Sequence, residues 1–118
     1  MAVTPAETLA TLREKVLADR ARDSGRAESV RRLVLEIVPR RLPPGGRAWL
    51  IGTLAWGGFG TRSDIDLVFD GTPDATMTAI ELELLHAAHV EVDTLRLADL
   101  PAAFSTRVLG EGVALHGR

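Results

Sequence analysis

Two aspartates stand one residue apart in an apolar stretch of the chain, Asp64 and Asp66 in the segment DIDLVF. Residues i and i+2 of a strand project from the same face, so these carboxylates would lie side by side while Ile65 points the other way. Like charges this close repel each other, and partial burial strengthens the repulsion. A divalent cation relieves it, and ligands that are all oxygen suit Mg²⁺ or Mn²⁺.

A third carboxylate, Asp93, occurs in another candidate strand, VEVDTL. Val90 and Val92 alternate with Glu91 and Asp93 there, so Asp93 faces away from the valines. If this strand neighbours the one that carries Asp66, the Asp93 carboxylate can complete a two-metal centre. The alternative is an ordinary solvated residue on a strand.

A glycine-rich loop precedes the aspartate pair. Gly52, Gly57, Gly58 and Gly60 allow positive φ angles and leave backbone N–H groups unobstructed, which is typical of anion-binding turns, and Thr53 adds a hydroxyl. No Gly-Lys-Ser/Thr follows, so the loop is not a Walker A motif. Alone, it could equally be a flexible surface loop.

The first 46 residues, which come before these segments, predict helices. Thr4 is a typical N-cap, with Pro5 at the first helical position. The sequence Asp-Ser-Gly at 23–25 interrupts the apolar periodicity, so we expect one helix to end there and a second to run to about Pro39. Prolines and glycines at 42–46 predict a turn. One apolar face of the first helix contains Leu9, Leu12 and Val16.

From Arg47 onward, short apolar runs predict buried strands at residues 47–52, 64–69 and 89–95. A helix should begin at Thr72-Pro73, a shorter one should begin at Pro101, and an edge strand is expected at 113–117. The inner helix faces are expected to contain Met77, Ile80 and Leu84 in the former helix, and Phe104 and Val108 in the latter. Helices packed on a sheet imply an α+β or α/β fold.

Composition narrows the class of protein. With 118 residues, 46% hydrophobic and 25% charged, the sequence fits one globular domain over 1–118, and we expect neither a membrane span nor a signal peptide. We therefore expect a cytoplasmic protein, and the absence of cysteine excludes disulfides and thiolate chemistry. A net charge of −2 and five aromatics give little support to direct nucleic-acid binding.

The charge is divided unevenly along the chain. Residues 1–50 carry ten Lys/Arg and six Asp/Glu, whereas residues 51–118 carry four and ten. Two solvated faces would explain the difference. The other interpretation is that the acidic second half binds cations while the basic first half faces phosphate or an acidic partner.

The segment GTLAWG, followed by SDIDL, resembles the G-S-x-A-R-G…S-D-I-D-L signature of the DNA polymerase beta-like nucleotidyltransferases, particularly the minimal nucleotidyltransferase (MNT) group. The similarity continues through VEVDTLRLADLPAAFSTRVLGEGVALHG and covers about residues 48–116. It implies the nucleotidyltransferase fold, a small mixed β-sheet flanked by helices. In this chain the helical N-terminal part would be 1–46 and the catalytic core 47–118.

The resemblance also implies roles for single residues. Asp64 and Asp66 would bind two Mg²⁺ ions, and Asp93 would bind one of them and help deprotonate the attacking hydroxyl. Gly52 and Thr53 would hold the triphosphate of ATP or another NTP.

Two positions depart from the signature. Thr53 stands in place of the usual serine, and Trp56 in place of an arginine that could balance phosphate charge. Arg62, which directly precedes Ser63, is a candidate substitute for that cation, and both are predicted to belong to the nucleotide site.

The resemblance further implies a partner. Members of the MNT group are bacterial antitoxins paired with a HEPN-type toxin, which they neutralise by nucleotidylating a toxin tyrosine or by binding the toxin. The alternative is a binding module that lost efficient chemistry through Thr53 and Trp56. Nucleotidylation of a small molecule such as an aminoglycoside is a third hypothesis, and the short chain weighs against it.

Overall fold

The computed structural model describes the backbone of residues 5–117 and the side chains of residues 11–18 and 22–117. A 3₁₀ turn at Leu97–Asp99 lies between the third strand and the last helix. The helices and strands are α1 Pro5–Arg41, β1 Arg47–Ile51, α2 Gly52–Trp56, β2 Ile65–Asp70, α3 Asp74–Ala88, β3 Val92–Arg96, α4 Ala102–Glu111 and β4 Val113–His116.

The four strands form one mixed sheet in the order β3-β2-β1-β4. β1 pairs antiparallel with both β2 and β4, while β2 and β3 are parallel and are connected by α3. The three predicted buried strands and the predicted edge strand are all present. The sheet and its flanking helices confirm the α+β class expected from the sequence.

Each face of the sheet has its own apolar cluster. The larger cluster joins one face to α1 and α3 and includes Ile65, Leu67 and Phe69, none of which is accessible to solvent. The smaller cluster lies on the other face under α4 and includes Val68 and Val108. The predicted inner positions of α3 (Met77, Ile80 and Leu84) are buried, and Phe104 of α4 packs against the smaller cluster.

The prediction of two N-terminal helices is wrong, because α1 runs without interruption through residues 23–25. Asp, Ser and Gly lower helix propensity by at most about 1 kcal/mol each, and none of them lacks the N–H group that a helix interior needs. Tertiary packing of the C-terminal half of α1, through Val30, Val34 and Val38, outweighs this penalty.

α1 ends two residues beyond Pro39, and residues 42–46 form the predicted turn. Gly45 has a φ of +79°, and the Gly46 N–H donates to the Pro43 carbonyl at 2.8 Å. A proline followed by a glycine with positive φ is typical of a type II turn. This turn reverses the chain from α1 into β1.

The N-terminal part of α1 extends away from the sheet, and the molecule measures 64 × 31 × 18 Å along its principal axes. Leu12 and Val16 share a helix face as predicted, but 54% and 47% of their surfaces are exposed. Thr4 and the side chain of Leu9, which were predicted to cap and continue this segment, lie outside the described residues.

We expect Gly25→Ala to raise the free energy of unfolding by about 0.5–1 kcal/mol, because alanine loses less backbone entropy in a helix. A Cβ at this position meets no atom within 4 Å. Urea unfolding would measure the change. Gly45→Ala, which has equally open space but a φ of +79°, is the control and should lower stability. No gain for Gly25→Ala would contradict a continuous α1.

Candidate active site

Asp66 and Asp93 occupy the same level of two neighbouring parallel strands. They are Cα partners in the β2–β3 pairing, and their side chains interact directly. Asp64 directly precedes β2, where the Ile65 N–H donates to the Glu91 carbonyl at 2.8 Å and holds the start of the strand. The structure therefore brings together the three carboxylates that the strand periodicity singled out.

Asp66 is partly buried, whereas Asp93 is exposed. Burial raises the pKa of Asp66 above its ordinary value, and the neighbouring charges of Asp93 and Asp64 raise it further. A carboxyl group in this position resists ionisation unless a positive charge approaches it. Binding of a cation beside Asp66, or protonation of the Asp66 carboxylate, is therefore favourable.

Gly52 fits between β1 and this carboxylate. Its φ is +73°, and a Cβ at this position would clash with the carboxylate of Asp66. Both the backbone angle and the space therefore require glycine. The backbone of the chain consequently passes next to the acidic cluster, where a larger residue would keep it away.

A short helix, α2, begins at Gly52, in the region where the sequence predicted a glycine-rich loop. Arg31 of α1 fixes its position by donating two hydrogen bonds to the Leu54 carbonyl, at 2.8 and 3.2 Å. Thr53 is exposed on α2. The first N–H groups of a helix have no acceptor within it and are available to an anion. The contact between Arg31 and Leu54 joins residues 23 positions apart, so no local sequence pattern predicts it.

The loop then turns back toward β2 through Gly60–Ser63. Gly60 N–H donates to the Ser63 hydroxyl at 2.9 Å, and Ser63 N–H donates to the Gly60 carbonyl at 3.1 Å. Ser63 therefore closes the turn that delivers Asp64 to the site. Arg62 is exposed and lines a cleft of about 250 Å³ together with Asp64.

Trp56, the last residue of α2, packs against α4. Its indole N–H donates to the Glu111 carbonyl at 2.9 Å, and the guanidinium of Arg107 lies 4.1 Å from the ring centroid. Arg107 also donates through Nε to the Glu111 carboxylate at 2.9 Å. The departure at Trp56 thus has a structural role, and it brings a cation from another element to the end of the loop.

Other conspicuous residues lie outside the acidic cluster. Asp70, at the far end of β2, accepts a hydrogen bond from Arg47 at 2.6 Å. His89 caps α3 in the left-handed conformation, with a φ of 54°, and Trp49 is buried in the smaller apolar cluster. The contacts of these three residues are structural.

The donor set of the site suits a hard divalent cation, because it consists of carboxylate oxygens on one sheet face. Among the described residues, no three acidic or histidine side chains are arranged as a preformed coordination sphere. The two observations are compatible, because Mg²⁺ commonly takes one or two protein carboxylates and completes its shell with water and phosphate oxygens.

Comparison with known proteins identifies the fold. No protein-family model and no curated protein matches the chain. Among solved structures, a proposed minimal nucleotidyltransferase is 24% identical with a TM-score of 0.50, over 76% of this chain and 89% of that one. A toxin–antitoxin structure with AMP-PNP is 21% identical with a TM-score of 0.51, over 78% and 73%. A mutant of the toxin–antitoxin pair MntA-HepT is 19% identical with a TM-score of 0.51, over 78% and 73%.

The chain has the nucleotidyltransferase fold. The resemblance inferred from the sequence is thereby confirmed for the architecture. Within this nucleotidyltransferase fold the three aspartates lie at one end of the β2 and β3 strands, next to Gly52 and α2. None of the described helices has the length and apolar character that crossing a membrane requires.

We expect Asp66→Asn to raise the free energy of unfolding of the metal-free protein at neutral pH. The folded-state pKa of Asp66 lies above the ordinary 3.8, so ionising this group destabilises the fold, and stability falls as pH rises through the interval between the two values. Asparagine cannot ionise, so the variant should lose less stability than the parent between pH 4 and pH 7.

Urea unfolding at both pH values would measure this difference. Asp70→Asn is the matched control, because Asp70 lies on the same strand but pairs with Arg47. It should lower stability slightly at neutral pH. An Asp66→Asn variant less stable than the parent at pH 7 would contradict a repulsive carboxylate cluster.

Proposed function

We propose that the chain is a metal-dependent nucleotidyltransferase that transfers AMP from ATP to a hydroxyl group of a partner protein. The observation that carries the proposal is the register of β2 and β3, with Asp66 and Asp93 level and Asp64 beside them. A domain that only bound a partner would gain nothing from three mutually repelling carboxylates on one face.

The proposed site has two parts. Asp64, Asp66 and Asp93 would hold two Mg²⁺ ions, with Mn²⁺ as a possible substitute. Gly52, Thr53, Arg62 and Ser63 are the proposed nucleotide-binding residues. The close approach of Gly52 to Asp66 supports this role for Gly52. The exposure of Arg62 beside Asp64 supports it for Arg62. Ser63 contributes by holding the turn that positions Asp64.

The reaction follows from this arrangement. The acceptor hydroxyl oxygen attacks the α-phosphorus, the bond from that phosphorus to the bridging oxygen of pyrophosphate breaks, and pyrophosphate leaves. Asp93 takes the hydroxyl proton, and it is the exposed residue of the three, so an acceptor can reach it. Bound divalent cations supply charge neutralisation for the attacking and leaving oxygens. The carboxylates and the loop contribute chiefly by orienting the groups.

We propose that the acceptor belongs to a toxin, so that the chain acts as the antitoxin of a toxin–antitoxin pair with a HEPN-type toxin. Similarity of fold to the toxin–antitoxin structures supports this assignment. The exposed apolar residues Leu12 and Val16 on the extended part of α1 are compatible with a protein partner. We propose the cytoplasm as the site of action and residues 1–118 as a single functional domain.

A second candidate is a module that neutralises its partner by complex formation and has little or no catalytic activity. It is favoured by one observation, that the described carboxylates and histidines do not form a preformed metal cluster. The two candidates differ in whether a covalent product appears, so one experiment separates them.

The experiment is incubation with Mg²⁺ and α-labelled ATP, with and without the protein encoded by the adjacent gene. Transfer predicts label on the neighbouring protein, and chelation of the metal should abolish it. A stable complex without label supports the binding module. Label on neither protein, with no complex, leaves nucleotidylation of a small molecule as the remaining hypothesis.

We expect the double variant Asp64→Ala/Asp66→Ala to lose transfer by at least about a hundredfold, because positioning and electrostatic stabilisation carry the rate. Asp70→Ala, a carboxylate of β2 outside the cluster, should retain it. Circular dichroism would establish that both variants fold. Undiminished labelling by the folded double variant would refute the assignment of the aspartates.

A further inference from the structure

The side of the acidic site formed by α2 and α4 contains a cation that the sequence motifs did not assign. Ile51 is the cross-strand partner of Asp66, and both lie on the sheet face covered by α4. Gly112, directly after α4, packs against Ile51, since a Cβ there would approach Ile51 to 3.4 Å. The C-terminal end of α4 therefore lies at the same end of the sheet's strands as the carboxylates.

Trp56 connects this end of α4 to the glycine loop. Gly52 and Trp56 are four positions apart on α2, about 6 Å along the helix axis, a length comparable to a triphosphate chain. A triphosphate chain whose α-phosphate lies at Asp66 is therefore long enough to reach the Trp56 end of α2. Such an arrangement requires positive charge at that end.

Arg107 supplies this charge. Its guanidinium lies over the indole of Trp56, and its Nε atom donates to Glu111. Within the described part of the chain its terminal nitrogens form no hydrogen bond, and its side chain is 53% exposed. A guanidinium that stacks on a ring and keeps free N–H donors is well suited to phosphate oxygens.

We propose that Arg107 is a phosphate-binding residue of the nucleotide site, and that Trp56 positions it. The proposal rests on the proposed function for the nature of the ligand, and adds the residue that recognises the terminal phosphates. Glu111 holds the guanidinium in the free protein through one nitrogen and leaves the others for the ligand. Specificity for a triphosphate over a monophosphate follows.

The chain contains a matched control for this assignment. Arg47 lies 5.1 Å from the ring centroid of Trp49, pairs with Asp70, and is 49% exposed. Arg47 thus makes the same two kinds of contact as Arg107, one with a tryptophan ring and one with a carboxylate. Arg47 and Asp70, however, lie at the opposite end of the β1–β2 pair from Asp66. Substituting either arginine removes the same charge and the same kind of stacking.

The test is calorimetric titration of the folded chain with a non-hydrolysable ATP analogue and with AMP, both in the presence of Mg²⁺. Arg107→Gln should weaken binding of the triphosphate by about tenfold and of AMP by less than about threefold, because charge-assisted hydrogen bonds to terminal phosphates are lost. Arg47→Gln should change neither affinity by more than about twofold. Thermal unfolding would establish that both variants fold.

Two further variants separate binding from positioning. Arg107→Lys keeps the charge but loses the planar donors and should give an intermediate affinity. Trp56→Phe keeps a ring for stacking and loses the bond to Glu111, so it should weaken triphosphate binding less than Trp56→Ala. We do not expect the two Trp56 variants to differ in this way in their affinity for AMP.

The outcomes distinguish this inference from the proposed function. If the parent binds the triphosphate and Arg107→Gln binds it equally well, Arg107 has no such role, while the nucleotidyltransferase assignment stands. An equal loss in Arg107→Gln and Arg47→Gln also overturns the inference, because it would reflect net charge alone. If the parent binds no nucleotide, both the inference and the proposed function fail.

Discussion

The pairing of Asp66 with Asp93 across two parallel strands is the constraint on which the site depends. Parallel strands in register place the two carboxylates level on one face, where their charges repel. The register cannot slip to relieve this, because a shift of one residue would turn Ile65 and Leu67 away from the larger apolar cluster. Burial on one face of β2 therefore enforces proximity of like charges on the other.

The loop after β1 is adapted to the same carboxylate. Only glycine combines a φ of +73° with the narrow space beside Asp66, so Gly52 fixes where the chain leaves the sheet. The next residues form α2, and the two hydrogen bonds from Arg31 to the Leu54 carbonyl attach it to α1. A loop rich in glycine is thus held from both ends, which limits the entropy that ligand binding must remove.

Much of this arrangement is readable from the sequence, and the reason is periodicity. Alternation along β2 and β3 assigns Asp66 and Asp93 to the polar side of each strand, and helical spacing assigns Met77, Ile80 and Leu84 to the core. The adjacency of β2 and β3 follows only when the fold resemblance is added. The helix break predicted at residues 23–25 is absent, because packing elsewhere in α1 outweighs the weak local propensities of these residues.

The contacts that could not be predicted from the sequence join residues far apart in the chain. Arg107 lies 51 positions after Trp56, yet its guanidinium stacks on the indole ring. No local pattern relates the two, and the resemblance alone suggested that Trp56 had removed a cation. The structure indicates a different arrangement, in which the charge resides on α4 and the loop provides the surface that holds it.

This arrangement has a consequence for how the site is completed. A cation carried by the loop itself would be present whenever the loop is ordered. A cation carried by Arg107 reaches the loop only when α4 is docked on the sheet through Val108 and Gly112. Completion of the site is therefore coupled to packing of the C-terminal segment. Trp56 is compatible with a functional loop, because the charge of the arginine that it replaces can come from Arg107 on α4.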